Sequence, residues 1–413
     1  MTDYTQAVDF SNKDALPSGN PAKVIKGLDV DGELTLISVA IASKANKIVG
    51  GTSGNIVTRG ATGDIVDSGF APASFFRRNI VNNPVMNIWQ RNTSFSSIAN
   101  ATFSADRWNY QKVGAAVHTI SRQTDVPTAA QAGFKLNYSL QANLTTADTA
   151  IAAGDFVFIN QPIEGYNWQF LAQNPCVLSF WVKAGITGTY CVALRNAGSD
   201  RSYVGTYTIS AANTWEKKTV TYLASPTAGT WDYINGIGAR LIFTLAAGTT
   251  FQTTAGAWQT GNFFATSGQV NGVNTGAGNF LLTGVQLEPG TASTNLEFIN
   301  FEADLAQCRR YYEKSYDYAE FPGNTPTSGE IRGRRSGANY IAIASYSSRK
   351  RAPPTMSLFS PATGAAGVWR NNTTTADASV SELNGGERHC TMACTGTSDG
   401  DDISGHWVAS AEL

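Results

Sequence analysis

Apolar positions along this chain follow two different periods. Near the start, Val30, Leu34, Ile37, Ile41, Lys44 and Ile48 fall at the 4-3-4-3-4 spacing that keeps one seam of a helix against a partner. This predicts a helix over roughly Asp29 to Ala45, with Asp29 or Asp31 to cap its start and Lys44 and Lys47 to suit its C-terminal dipole. The seam lasts about two heptads, fewer than the three or four that secure a coiled coil, so the same pattern also fits an amphipathic helix on a local core.

From Lys47 to Phe70 the period changes. KIVGGTSGN, IVTRGATGD and IVDSGF each place a β-branched pair (Ile48-Val49, Ile56-Val57, Ile65-Val66) before turn residues. Strands this short bury too little apolar surface to offset the entropy of ordering them within one chain. Winding identical chains together lets each pair pack on its symmetry mates. The segment is therefore expected to be an oligomeric shaft, with threefold symmetry the natural arrangement.

Beyond residue 76 the pattern is that of strands. Phe156 to Ile159, Val177 to Val182, Tyr190 to Leu194, Thr219 to Leu223, Leu241 to Leu245 and Phe280 to Leu287 are alternating or aromatic-rich runs parted by turn clusters. Many short strands with Gly, Asn and Thr turns argue for a β-sandwich or jelly roll over 76–300. A short helix is predicted at about Phe301 to Ser315, with Leu305, Cys308 and Tyr312 on one face. A smaller β module runs to Leu413 and closes on a strand from His406 to Ala411.

Composition narrows the function classes. The 413 residues carry 30 Lys+Arg against 31 Asp+Glu, a net charge of -1, which excludes a strong electrostatic footprint for nucleic acid or an anionic membrane. Charged residues make up only 15%, while aromatics reach 11% and 42% is hydrophobic, enough for a sizeable core and too apolar for a disordered chain. Met1 to Phe10 has neither a basic nor an apolar signal region, and the sequence contains no run of 18 apolar residues. Neither signal-peptide secretion nor membrane insertion is expected. Five scattered cysteines, an odd number, fit folding in a reducing cytosol better than a disulfide framework.

Several motifs, in order, resemble the tail-fibre proteins of short-tailed bacteriophages. DFSNKDALPSGNPAKVIKGLDVDGELTLI, from Asp9, resembles their virion-attachment end. NNPVMNIWQR (Asn82 to Arg91), FSADRW (Phe103 to Trp108), FWVKAG (Phe180 to Gly185) and VQLEPG (Val285 to Gly290) resemble the carbohydrate-binding-module-type jelly roll of such fibres. CRRYYEKS (Cys308 to Ser315), RAPPTMSL (Arg351 to Leu358) and the ending HWVASAEL complete the pattern. The resemblance implies a mostly β homotrimeric fibre in the virion, synthesised in the host cytoplasm. It would comprise an attachment segment with a trimerising helix (1–46), a short β shaft (47–75), a jelly-roll module (76–300) and a connecting helix with a second β-sandwich module (301–413). The N-terminus would dock on a tail or connector protein and the distal modules on a host cell-surface glycan. The shortness of the chain leaves open a head-attached decoration fibre docked on capsid protein.

Catalytic patterns are weak. His118, His389 and His406 are the only histidines, and none lies near a G-x-S-x-G turn. Asp155, Glu164, Glu288 and Glu297 are available as paired carboxylates for glycoside hydrolysis, a polysaccharide-degrading tailspike being the alternative function. Cys390-x3-Cys394 with His406 falls within reach of zinc spacing. Strand alternation instead puts Cys390, Met392 and Cys394 on one core face. The Ser398 to Asp402 run lacks the bidentate Glu of a calcium loop and reads as an exposed acidic turn. Asp106-Arg107-Trp108 reads as a fold determinant, an Arg stacked on a ring and paired with a carboxylate. No enzyme activity, cofactor or metal is expected.

Glycan recognition needs exposed aromatic faces for the C–H face of a sugar ring and polar groups for its hydroxyls. Candidates are Trp168, Trp231, Tyr233 and Trp258 on loop-like sequence of the large module, and Arg332, Arg334, Arg335, Tyr340, Trp369 and Arg370 in the small one. Large aromatics are also the usual filling of a core. Arg332-Gly333-Arg334-Arg335 is expected to be an exposed loop facing polar or anionic groups. Val30, Leu34, Ile37 and Ile41 are the expected trimer seam.

Overall fold

The computed structural model describes residues 4–45, 57–59, 65–67, 78–335 and 340–413. It divides the chain into two compact units, Met1–Arg78 and Asn79–Leu413. Of the repeat segment, Ile48, Val49 and Ile56 lie outside the described residues.

In the first unit the seam residues do lie on a helix, Gly27–Ala45. Asp29, in its first turn, accepts from the backbone N–H of Lys26 at 3.0 Å and pairs with Lys13. Asp9 caps a short preceding helix, Phe10–Asp14. The leading segment folds back on the long helix through Glu33, which is buried and accepts from the N–H of Ala7 at 2.7 Å and from the hydroxyl of Tyr4. Among the described residues the seam stays open: Val30, Leu34, Ile37 and Ile41 are 37 to 61% exposed. Val57–Arg59 and Ile65–Asp67 pair antiparallel as three-residue strands.

The second unit contains the expected sandwich. A seven-stranded sheet runs in the order Trp258–Thr260, Arg201–Ile209, Gly188–Asn196, Ile237–Ala247, Phe156–Glu164, Asn109–Val113, Thr102–Phe103. A six-stranded sheet runs Glu216–Tyr222, Cys176–Ala184, Phe280–Pro289, Ser139–Thr146, Val117–Gln123, Ser94–Phe95. Each predicted run falls in one of these strands, Thr219 to Leu223 overrunning its strand by Leu223, and alternation places Leu178, Phe180 and Val182 on the same face as one another and against Val192, Leu194 and Phe243 of the opposing sheet. Phe180 meets both Phe243 and Tyr207 edge-on at 5.0 Å, a contact made across the two sheets.

The smaller C-terminal module is also β. Its spine is the last strand, Asp402–Ser410, whose first half pairs with Ile331–Arg334 and Val368–Asn371 and whose second half pairs with Tyr312–Lys314 and Thr355–Phe359. Cys390, Met392 and Cys394 do share one buried face, packed with Trp369, Ile403 and Trp407. Burial pushes both thiols up to about 11, so they remain protonated at neutral pH.

Two local expectations are corrected. The connecting helix is shorter than predicted, Phe301–Arg309, and Tyr312 belongs to a strand. Arg310 closes the helix, and pairing with the last strand then wins over helical period. Ile331–Arg334 is likewise a strand, not a loop: its partner is Asp402–Gly405, and alternation leaves Arg332 and Arg334 on the exposed face.

The large sandwich and the small β module meet through the very motifs that carry the resemblance. Arg107 of FSADRW is buried, lies over the ring of Tyr311 of CRRYYEKS, and pairs with Glu412 of the closing motif. Arg91 of NNPVMNIWQR lies 3.7 Å over the ring of Tyr312 and pairs with Glu412 at 2.7 Å. Glu164 receives Nε of Arg310 at 2.8 Å and the hydroxyl of Tyr311 at 2.5 Å. The fold-determinant reading of Arg107 holds, with the stacked ring supplied by Tyr311.

Candidate functional site

Three of the aromatic candidates converge at one edge of the large sandwich. The ring of Trp231 stacks on that of Trp168 at 5.7 Å and 8° between planes, and meets Trp258 edge-on at 5.6 Å. Trp258 in turn meets Tyr203 edge-on at 5.7 Å. Trp168 sits on a one-turn helix, Gly165–Trp168, and is 1% exposed. That corrects its reading as a loop residue open to a ligand: it is the floor under Trp231. Trp231, Tyr233 and Trp258 are half-buried, each with part of its ring on the core and part in solvent.

The platform is held rigid by its backbone. Nε1 of Trp231 donates to the carbonyl of Ala228 at 3.1 Å, and Nε1 of Trp258 to that of Leu223 at 3.0 Å. Asp232 accepts from the N–H groups of Ile234 and Gly236, closing the 231–236 loop, and Tyr166 N–H donates to the carbonyl of Ile234 at 2.7 Å. At the other end of the loop, Asp200 accepts from the hydroxyl of Thr230 at 3.0 Å and from the amide of Asn196. Those hydrogen bonds, that from Asn196 first, hold the Asp200 carboxyl below the usual carboxylate range. The rim therefore carries a carboxylate and a hydroxyl beside an aromatic face, with the buried Asn196 amide holding the carboxylate from beneath.

Sequence reasoning missed the apolar surround of this platform. Tyr166, Phe170, Leu223 and Ile234 are all large and at least half exposed. For Tyr166, Phe170 and Ile234 the signal lies in the runs EGYNWQF and WDYINGI, where several apolar residues fall between turn residues with no period that would bury them all. Past Asn235 the surface turns polar, in a cleft of about 370 Å³ lined by Tyr166, Asn235, Arg310, Arg349, Arg351 and Glu387.

The candidates of the small module do not converge in the same way. Trp369 is fully buried, its Nε1 donating to the carbonyl of His406, which corrects its reading as a receptor contact. Arg332 pairs with Asp402 at 2.6 Å, Arg370 lies 3.6 Å from Asp377, and Nη1 of Arg335 donates to the hydroxyl of Thr397. Arg334 is exposed, and Tyr340 begins the strand Tyr340–Ser345, with its side chain outside the described residues. The acidic turn is engaged as well: Asp401 accepts from the amide of Asn371 at 2.7 Å.

The carboxylates weighed for hydrolysis each hold backbone or neighbouring side chains. Glu164 is locked by Arg310 and Tyr311, and Glu288 accepts from the hydroxyl of Thr294 at 2.7 Å. Glu297 accepts from the N–H of Asn79 and Asp155 from that of Ala152. Two of the three histidines are core residues. His118 contacts the hydroxyl of Tyr110 at 2.7 Å, and burial pushes its imidazole down to about 4. His406 stacks on Tyr316 at 3.9 Å between Ser315 and the carbonyl of Pro326.

No protein-family model and no curated protein matches the sequence. Among solved structures, the chain is similar to the enzymatically active domain of tailspike protein 4 from bacteriophage CBA120, at 16% identity and a TM-score of 0.26, over 47% of this chain and 21% of that one. It is also similar to the family 11 carbohydrate-binding module of the cellulase Lic26A-Cel5E of Clostridium thermocellum, at 10% identity and a TM-score of 0.26, over 50% and 99% of the two chains. The C-terminal family 22 carbohydrate-binding module of Xyn10B, from the same organism, matches at 12% identity and a TM-score of 0.25, over 48% and 97%.

Proposed function

We propose that this chain is a structural fibre of a bacteriophage virion that recognises a host cell-surface glycan without degrading it. The observation that carries the reading is the Trp231 platform, an aromatic face backed by a buried Trp168 ring and rimmed by Asp200 and Thr230. A sugar presents an apolar C–H face and a ring of hydroxyls, and these are the groups it pairs with. Three copies on one shaft multiply weak sites through effective concentration.

The exposed seam of Gly27–Ala45 supports a homotrimer, since four large apolar side chains on one stripe are left open among the described residues. The N-terminal segment would then dock on a tail, connector or capsid protein and place the sandwiches toward the host. The structural use of Glu164, Glu288, Glu297 and Asp155 favours binding over hydrolysis.

Incubation of the purified full-length chain with host surface polysaccharide tests both halves. Retention of polymer with no new reducing ends is expected; defined oligosaccharide release would replace this function with that of a degrading tailspike.

A further inference from the structure

The outer face of the seven-stranded sheet carries two guanidinium groups side by side. Arg195 on Gly188–Asn196 and Arg240 on Ile237–Ala247 are direct cross-strand partners, so both side chains leave the same face. Two residues along each strand, Ala193 and Ile242 on that face belong to a small apolar cluster with Cys191, Val204 and Phe264. The arginines interrupt what is otherwise an apolar pattern.

Their acceptors are amide oxygens, not carboxylates. Nη1 of Arg195 donates to Oδ1 of Asn262 at 2.5 Å, and Nη1 of Arg240 to Oδ1 of Asn160 at 3.4 Å. Nε of Arg195, a residue only 9% exposed, is buried with no hydrogen-bond partner among the described residues. Burial, then the neighbouring Arg240, pushes the Arg195 guanidinium down to about 10. Burial and the nearby Arg107 push Arg240 down as well. Like charges directly opposite on adjacent strands oppose sheet pairing, and a buried cation without a counter-charge is costly. Packing alone gives no reason to keep both.

We propose that Arg195 and Arg240 form the binding site for an oxyanion, a carboxylate or a phosphate, carried by an acidic host polysaccharide. Two adjacent planar guanidiniums, with the Nε–H of Arg195 left without a partner among the described residues, match the bidentate geometry of such groups. Asn160 and Asn109, buried cross-strand partners on the same sheet, bond to each other and hold Arg240 from below, which fixes the guanidinium without supplying a counter-charge. This inference rests on the glycan-recognition reading and narrows it to acidic glycans.

The test is thermal unfolding of the full-length chain in glucuronate or glycerol phosphate, against chloride at matched ionic strength. One or both anions should raise the midpoint of the wild type and leave Arg195→Met and Arg240→Met unmoved. A response to glucuronate alone identifies a carboxylate sugar, and one to glycerol phosphate alone a phosphorylated polymer. Without anion, Arg240→Met should unfold at or above the wild-type temperature, because the repulsion is relieved. No shift with either anion, or variants that respond as the wild type does, would overturn the site. Neither result touches the Trp231 platform, which is judged by cell binding.

Discussion

Arg107 lies flat over the ring of Tyr311, its guanidinium carbon 3.5 Å from the ring centroid, while its Nη1 pairs with Glu412. Three stretches far apart in sequence are thereby fixed to one another in the buried junction of the large sandwich and the small β module. A buried pair of this kind adds little net stability over a well-packed apolar pair, but it tolerates no loss of one partner.

Glu412→Ala should therefore be severe, since it leaves both Arg107 and Arg91 without their shared carboxylate. The expected cost is about 3–5 kcal/mol, read as a lower midpoint in urea. The exposed pair of Arg349 and Glu387 gives the contrast: Glu387→Ala should cost under about 1 kcal/mol.

Acid should weaken the large sandwich through His118. Its imidazole titrates at about 4 in the folded chain, held down by burial and then by Lys112, against 6.5 when free. The unfolded state thus takes up the proton first. Stability is fully present above pH 6.5 and is lost as the pH falls from there toward 4. Between pH 7 and pH 5 this one group removes about 2 kcal/mol. His118→Gln should flatten that part of a stability–pH profile, leaving a smaller slope from His406, which burial also pushes down.

Gly238 couples fold to site. A Cβ at this position would lie 2.4 Å from Cβ of Trp168 and 2.9 Å from the backbone of Gly165, so the one-turn helix has to move. Gly238→Ala should cost about 1–3 kcal/mol and weaken glycan binding together, because the floor of the platform shifts. Titration of polysaccharide against the variant, alongside its thermal midpoint, checks both effects.

The trimer seam is tested by charge. Leu34→Asp with Ile37→Asp should reduce the mass in light scattering from three chains to one while the sandwiches keep their unfolding transition. An unchanged mass would reject the seam.

Much of this architecture was legible in the sequence, and the reason is period. A sandwich strand buried on one face repeats every two residues, so runs such as Thr219 to Leu223 announced themselves, as did the helix bearing Leu34 and Ile37. Tertiary pairing was not legible: nothing local told Arg332 to pair with Ser404 in a strand, or ended the connecting helix before Tyr312. Aromatic exposure was equally hidden. Trp168, Trp231 and Trp369 all sit among turn residues, yet only Trp231 keeps a face in solvent, because the other two are covered by segments distant in sequence. The Arg195–Arg240 contact required cross-strand register, which composition and spacing do not carry.

The most direct measurement is host-cell binding by full-length chains bearing Trp231→Ala and Trp231→Phe. With an unchanged thermal midpoint, the alanine variant should lose about tenfold or more in affinity, as truncation of a central aromatic contact does, and the phenylalanine variant should recover part of it. Equal binding by all three chains would contradict the platform as the receptor site.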